Sequence, residues 1–157
     1  MKIKLLVVGK TDEIALSELI NKFEKRIKSF VGFDLQILPD IKNTKNLSGK
    51  EQKSKEGQII LSKLHPSDRV ILLDEKGKEM PSVEFAGFLQ KNMNSGIKNL
   101  VFIIGGPYGF SQAVYQRAKQ KISLSQMTFS HQLIRLIFLE QLYRAFSIIH
   151  HHPYHNE

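Results

Sequence analysis

The sequence contains no cysteine. This absence excludes disulfide bonds, thiolate zinc sites, iron–sulfur clusters and cysteine nucleophiles, so any chemistry must use other groups. The histidine run formed by His150, His151 and His152 has no cysteine ligand beside it. We therefore predict that the protein uses no metal.

Long uninterrupted apolar runs are also absent. The longest apolar stretch, 133–149, contains Arg135, Glu140 and Arg144, whose burial in lipid would be costly. The apolar run within residues 1–10 is too short for the core of a signal peptide and is typical of a first strand. We therefore expect a cytoplasmic protein that does not enter a membrane.

The loop after this first strand lacks the common nucleotide-binding motifs. Residues 8–13 contain one glycine, Gly9. They match neither the G-x-G-x-x-G of a dinucleotide site nor the G-x-x-x-x-G-K-[ST] of a phosphate loop. The sequence thus disfavours a conventional Rossmann cofactor site and a P-loop nucleotide hydrolase.

The composition is that of an ordinary folded domain. The chain has 157 residues, of which 41% are hydrophobic and 24% are charged. A chain of this length buries about 70% of its unfolded surface, which suffices for one core. We predict a single domain over 1–157, without internal repeats or linkers.

Strand-like and helix-like patterns alternate along this domain. The predicted strands are 3–8, 33–38, 69–73, 100–104 and, more weakly, 121–124. The predicted helices are one around 16–27, capped by Thr11 or Asp12, and those at 51–64, 83–93, 112–119 and 133–149. This alternation predicts an α/β fold with an open, mostly parallel sheet and helices on both faces.

The chain is strongly basic. Its formal net charge of +8 favours a polyanionic partner such as nucleic acid, because lysine and arginine neutralise phosphates. The segment from Lys42 to Lys55 holds several of these lysines and is predicted to be an exposed loop running into a helix. It is either an arm that grips RNA or a solvated segment without a partner.

Glycines concentrate after the fourth predicted strand, at 105–109, where ligands bind in open α/β sheets and where a bare backbone can approach them closely. Segment 122–130 alternates apolar with hydroxyl or amide side chains. It suits an amphipathic ligand such as adenosine, or it is only a short strand followed by a Ser130 cap. Leu73 would form one wall of the same pocket, and the charged residues 74–78 are interpreted as a turn.

The last predicted helix is apolar almost all round, which indicates a central position or a subunit contact, and we favour the subunit contact. On this helix Arg144 either neutralises an anion or pairs with Glu140 one turn earlier. Tyr154 and His155 either bind a base or belong to a frayed terminus. From the residues alone, the frayed terminus is favoured.

Several motifs occur together in one order along the chain. They are Lys4-Leu5-Leu6-Val7-Val8-Gly9-Lys10, Leu72-Leu73-Asp74 with Gly77-Lys78, Ile104-Gly105-Gly106, Ser125-Gln126-Met127-Thr128-Phe129, His131-Gln132-Leu133-Ile134-Arg135, Glu140-Gln141-Leu142-Tyr143-Arg144-Ala145 and Pro153-Tyr154-His155. With these motifs, the sequence resembles the RlmH family of the SPOUT superfamily over essentially its whole length. Members of that family methylate N3 of a pseudouridine in large-subunit (23S) ribosomal RNA.

The resemblance implies a cofactor, a topology and an assembly. S-adenosylmethionine would be the methyl donor, the C-terminal region would form a trefoil knot, and a homodimer would act on assembled ribosomes. Physics alone would not predict the knot, because threaded chains are very rare. The residues implied to contact S-adenosylmethionine are Leu73, Gly105, Leu124, Ser125, Gln126, Met127, Thr128 and Phe129.

The resemblance also leads us to predict Arg144, Tyr154 and His155 as substrate-side residues. Arg144 would favour the anionic base, while Tyr154 and His155 would position it or relay a proton. The main alternative is a non-enzymatic, basic RNA-binding or ribosome-associated factor. Such a factor would need neither the glycine loop nor an adenosine pocket.

Overall fold

Strands and helices alternate through residues 1–156, which are the residues that the computed structural model describes. The strands are β1 (Lys2–Val8), β2 (Gly32–Leu38), β3 (Arg69–Glu79), β4 (Asn99–Ile104) and β5 (Gln120–Ser123). The helices are α1 (Ile14–Lys28), α2 (Gly49–Ser62), α3 (Ser82–Asn94), α4 (Gln112–Arg117) and α5 (Leu133–Ile149).

The five strands form one sheet in the order β2-β1-β4-β3-β5, and every pairing is parallel. Helices α1, α3 and α5 contribute to the core on one face, and α2 and α4 to the core on the other. The predicted α/β class, with a parallel sheet covered on both faces, is confirmed. Because all strands run the same way, their carboxyl ends meet at one edge, where ligands bind in such folds.

The central strands are apolar on both faces. In β4 the residues from Leu100 to Ile103 are fully buried, and in β3 Val70, Ile71 and Leu72 are as well. Strands covered by helices on both sides have no polar face, so they read as continuous apolar runs rather than as alternating ones. This pattern is why the sequence indicates their positions so clearly.

Strand β3 is longer than predicted. We interpreted the charged residues after Leu73 as a turn, and this is wrong, because the strand runs to Glu79. Its pairing with β5 shifts register between Leu73 and Lys78, so the charged residues bulge at the carboxyl edge of the sheet. A Cβ at Gly77 would lie 2.6 Å from the carbonyl carbon of Ile122, so only glycine permits this approach of two backbones.

The predicted cap of α1 is also wrong. The residue before the helix is Glu13, which makes no capping side-chain hydrogen bond. Asp12 bonds instead to Gln132: its amide donates to Gln132 Oε1 (2.9 Å), and Gln132 Nε2 donates to Asp12 Oδ2 (2.8 Å). Thr11 Oγ1 accepts from Arg135 Nη1 (3.1 Å). The loop after β1 therefore bonds to the start of α5 and does not cap α1.

Helix α5 occupies a central position within the chain. Its residues Phe138, Leu139, Leu142 and Phe146 are fully buried in the core shared with α1 and α3. Much of its apolar surface is thus covered by its own chain, and the predicted subunit contact stays a prediction. No helix among residues 1–156 is long and apolar enough to span a membrane.

Arg135 is the largest buried polar side chain of this helix, with 1% of its surface exposed. Its guanidinium donates to the carbonyls of Val8 (2.6 Å), Gly9 (2.8 Å) and His131 (3.1 Å). Burial lowers the pKa of Arg135, and the carboxylates of Asp40 and Asp12 act in the opposite direction. The side chain joins the end of β1 to the start of α5.

We expect Arg135→Met to lower the free energy of unfolding by about 2–4 kcal/mol, because three carbonyls lose a charged donor in the interior. Urea denaturation followed by circular dichroism measures this change. Lys22→Met, on the exposed surface of α1, is the control and should stay within about 0.5 kcal/mol of the wild type. Equal effects of the two substitutions would show that the buried bonds contribute little.

Candidate functional site

A cavity of about 730 Å³ opens beside the middle of β3 and the carboxyl ends of β4 and β5. Leu73 and Ile104 form its floor, at the ends of the buried parts of their strands, and Leu124 follows directly after β5. Ile134, in the first turn of α5, adds a fourth apolar wall. Apolar walls around a concavity of this size are typical of sites for small molecules or cofactors.

The structure brings together seven of the eight residues that the resemblance assigns to the cofactor. Those lining the cavity are Leu73, Gly105, Leu124, Ser125, Met127, Thr128 and Phe129. The eighth, Gln126, does not line the cavity, since its Nε2 donates to Glu79 Oε2 (3.2 Å). Leu73 and Leu124, which are 51 positions apart in the sequence, thus meet in one site.

The glycine loop 105–109 forms one side of this cavity. Gly109 has a φ of +77°, which L residues rarely adopt, and its amide donates to the Gly106 carbonyl (3.1 Å) to close a tight turn. A Cβ at Gly105 would lie 3.2 Å from the Phe110 ring. Gly105, Gly106 and Gly109 all line the cavity, so the loop has no side chain at these three positions.

The segment after β5 also lines the cavity and is held by its own hydroxyls. Ser123 Oγ donates to the Ser125 carbonyl, and Ser125 Oγ accepts the Met127 amide, both at 2.9 Å. Thr128 Oγ1 donates to Glu75 Oε2 (3.2 Å). Ser130 Oγ accepts the Leu133 amide (3.1 Å), while the residue directly before the last helix is Gln132, which makes no capping side-chain bond. Structural and cavity-lining roles coexist in this segment.

Charged groups of both signs line the cavity. Asp74 is fixed by two donors, the Lys76 amide to Oδ1 (2.8 Å) and the Tyr115 hydroxyl to Oδ2 (2.5 Å). Burial, together with Asp74 itself, raises the pKa of Tyr115 to about 12, so the phenol remains a donor at neutral pH. Lys53 of α2 and His131 add basic groups on another side.

Lys53, Tyr115 and His131 are cavity residues that sequence reasoning did not assign to the pocket. Each lies on or beside a helix, and Lys53 also belongs to the basic segment from Lys42 to Lys55. No local sequence motif connects these three residues to the glycine loop. They reach the cavity only because of the order in which the strands and helices pack. His131 belongs to a family motif quoted above, which was the one available signal.

Arg144, Tyr154 and His155 form a separate cluster. Arg144 Nη2 lies 2.6 Å from Glu140 Oε1, so the predicted pairing one turn apart is confirmed. The Arg144 guanidinium carbon lies 4.8 Å from the Tyr154 ring centre, and Nη1 lies 3.4 Å from His155 Nδ1. The Tyr154 hydroxyl donates to Glu140 Oε1 (3.1 Å). The tail is therefore packed on α5, and the interpretation as a frayed terminus is wrong.

This cluster does not line the cavity of its own chain. Ile134 lies at the cavity, and Arg144 follows it after nearly three helical turns, about 15 Å along α5. The chain thus presents a cavity and a basic, aromatic cluster at separate positions. Burial, followed by the neighbouring Glu140, raises the pKa of Tyr154, so its hydroxyl stays a donor within the cluster.

Two remaining basic segments have simple structures. The segment from Lys42 to Lys55 contains a 3₁₀ turn at Thr44–Asn46 and then enters α2, so the predicted loop running into a helix is confirmed. Contact of this segment with RNA stays a prediction.

The ring of His150 packs 4.9 Å from that of Phe30. Within residues 1–156, no three His, Asp or Glu side chains gather in a way that could hold a metal ion.

Comparison with known proteins gives full-length matches. Residues 1–155 match a family model described as "Predicted SPOUT methyltransferase". The chain is 59% identical to a protein of Flavobacterium psychrophilum, 58% to one of Flavobacterium johnsoniae and 56% to one of Bacteroides thetaiotaomicron. In each case the match covers 157 residues and all of both chains. All three relatives are named "Ribosomal RNA large subunit methyltransferase H".

The fold is also similar to a solved structure. A crystal structure described as a "Probable Methyltransferase" from Bordetella pertussis Tohama I superposes with a TM-score of 0.57 over 92% of this chain and 94% of that one. The two sequences are 10% identical, so this likeness concerns the fold. The family match and the full-length relatives show that the chain belongs to the SPOUT methyltransferase family.

Proposed function

We propose that this protein transfers a methyl group from S-adenosylmethionine to N3 of a pseudouridine in large-subunit ribosomal RNA. The single observation that carries the proposal is the convergence of Leu73, Gly105 and five residues of segment 124–129 on one cavity. The relatives named as ribosomal RNA methyltransferases support the same substrate class. The basic net charge of +8 suits a polyanionic substrate. Since the proposed substrate is the ribosome, the protein would work in the cytoplasm.

The residues around the cavity fit S-adenosylmethionine. Leu73, Leu124 and Ile134 offer apolar surfaces for the adenine ring, while the backbone of segment 124–129 and of Gly105 offers hydrogen-bonding groups for its edge. Charged groups of both signs line the remainder of the cavity. They are suited to a molecule that carries a sulfonium, an ammonium and a carboxylate.

The proposed chemistry is an in-line displacement that requires no metal ligand set. S-adenosylmethionine supplies an electrophilic methyl group, which N3 takes with its own electron pair while the sulfur keeps the electrons of the broken bond. The protein's part is to align the base and to favour its deprotonated form. Arg144 would stabilise the negative charge that forms on the base, and Tyr154 and His155 would position it or accept and relay its proton.

A homodimer would unite the two parts of this site. Within one chain, the cluster formed by Arg144, Tyr154 and His155 does not line the cavity. If α5 contributes to a two-fold interface, each cluster can face the partner subunit's cavity. The trefoil knot implied by the resemblance belongs to the same proposal.

The experiment is methylation of assembled ribosomes whose large subunits lack the modification, with methyl-labelled S-adenosylmethionine, followed by mapping of the labelled nucleotide. We expect one label per subunit, on N3 of a pseudouridine. A label on another nucleotide would correct the target but keep the enzyme class. Binding to ribosomes without methyl transfer and without S-adenosylmethionine binding would favour the non-enzymatic RNA-binding factor.

A further inference from the structure

Helix α2 packs on the glycine loop through unusually close approaches. A Cβ at Gly49 would lie 2.8 Å from the Tyr108 ring, and one at Gly57 would overlap Ser111 Oγ. Between them, Glu56 presses on Gly106, where an added Cβ would lie 2.5 Å from Glu56 Oε2. One face of α2 therefore follows the course of the loop and of the residues just after it.

Glu56 is the polar centre of this contact, with only 3% of its surface exposed. Its Oε1 accepts from Gln52 Nε2 (3.1 Å), but its Oε2 is buried and has no hydrogen-bond partner. Gly106 lines the cavity and Glu56 does not, so the carboxyl lies behind the loop. A buried carboxyl oxygen without a donor is costly, and such groups in folded proteins call for a functional explanation.

We propose that Glu56 is a positioning residue for the glycine loop 105–109, and that its free oxygen accepts a backbone N–H of this loop when S-adenosylmethionine occupies the cavity. This inference rests on the proposed function. The cofactor would press the loop from the cavity side against a carboxyl that already touches it from behind. Gly106 is then glycine because the carboxyl occupies the space of its Cβ.

The inference predicts a pH dependence of cofactor binding. Burial raises the pKa of Glu56, and so does Asp40 beyond β2, while the hydrogen bond from Gln52 and the charge of His131 before α5 lower it. A backbone N–H donated to the carboxylate favours its ionised form, so the pKa should fall when the loop closes on the cofactor. Cofactor affinity should therefore weaken as the pH falls through the pKa of Glu56.

The test is calorimetric titration of full-length Glu56→Gln with S-adenosylmethionine at about pH 7.5 and about pH 5. We expect about 10- to 100-fold weaker binding at the higher pH, because the amide replaces a charged acceptor. The wild type should lose affinity at the lower pH, and the variant should not. Glu51→Gln, at an exposed position of α2, is the matched control and should bind within about twofold of the wild type.

His131→Asn removes the neighbouring basic side chain and keeps Glu56, and the pH dependence should survive in it. Gly106→Ala changes the other partner of the contact between Glu56 and Gly106, since its methyl group would displace the Glu56 carboxyl. Its loss should match that of Glu56→Gln, and the double variant should be far less impaired than the product of the two losses.

Two results would overturn the inference. One is binding by Glu56→Gln within threefold of the wild type, and the other is a pH dependence that persists in this variant. Absence of binding by the wild type would instead refute the proposed function, and the inference with it. The two failures are thus distinguished by the wild-type titration alone.

Discussion

Gly105→Trp should lose S-adenosylmethionine binding almost completely, with an affinity at least about 100-fold below that of the wild type. The reason is steric. A Cβ at this position already lies 3.2 Å from the Phe110 ring and 3.4 Å from Gly109, so the indole must displace these cavity residues or enter the cavity that they line. Isothermal titration with S-adenosylmethionine and S-adenosylhomocysteine measures the loss.

The control for this substitution is another glycine. Gly87→Trp introduces the same side chain on the exposed surface of α3, where nothing lies within 4 Å of an added Cβ. It should bind both ligands as the wild type does. Gly105→Ala should give an intermediate loss, because a methyl group narrows the loop without filling the cavity. Normal binding by Gly105→Trp, in a protein whose circular dichroism is unchanged, would move the cofactor site away from this loop.

The strands and helices could be predicted well because each produces a local pattern of apolar residues in the sequence. The buried runs of β1 and β4 have no polar face, and α1 has its apolar residues three and four positions apart. The extension of β3 to Glu79 could not be predicted. Its charged residues read as a turn, and only the register shift against β5 keeps them in a strand.

The candidate site was predictable only in part. Glycines in the loop after β4 indicate a pocket on physical grounds, since bare backbone there can approach a ligand. The assignment of segment 124–129 to a cofactor came from the resemblance, because its spacing equally describes a strand and a helix cap. The sequence did not indicate Glu56 or Tyr115 as site residues. Glu56 contacts Gly106 and Tyr115 bonds to Asp74, and both partners are distant in sequence.

The residues after α5, 150–156, show another limit of prediction from sequence. Without tertiary contacts, residues after a helix are expected to fray, and Tyr154 would then be mobile. The structure instead shows its ring 4.7 Å from that of Tyr143 and its hydroxyl donating to Glu140. A carboxylate and an arginine at this position of α5 hold the tail in place. That function is compatible with a second role toward substrate, which a single chain does not reveal.

Subunit mixing should test that second role with a large effect. In the proposed homodimer, Arg144→Ala in both subunits should make methylation of ribosomes at least about 100-fold slower than in the wild type, because an anionic base loses its cationic partner. This variant should still bind S-adenosylmethionine, since Arg144 does not line the cavity. Gly105→Trp in both subunits should abolish methylation because the cofactor no longer binds, although Arg144 is intact. Each variant therefore lacks one half of the proposed composite site.

A heterodimer of these two variants, co-expressed with different affinity tags and purified through both, distinguishes the possible arrangements. If Arg144 of one subunit serves the cavity of the other, one of the two sites in the heterodimer is intact, and methylation should recover to about half of the wild-type rate per dimer. If each chain uses its own Arg144, every site carries one defect and the heterodimer should be as inactive as its parents. The separation of the Arg144 cluster from the cavity within one chain leads us to expect recovery.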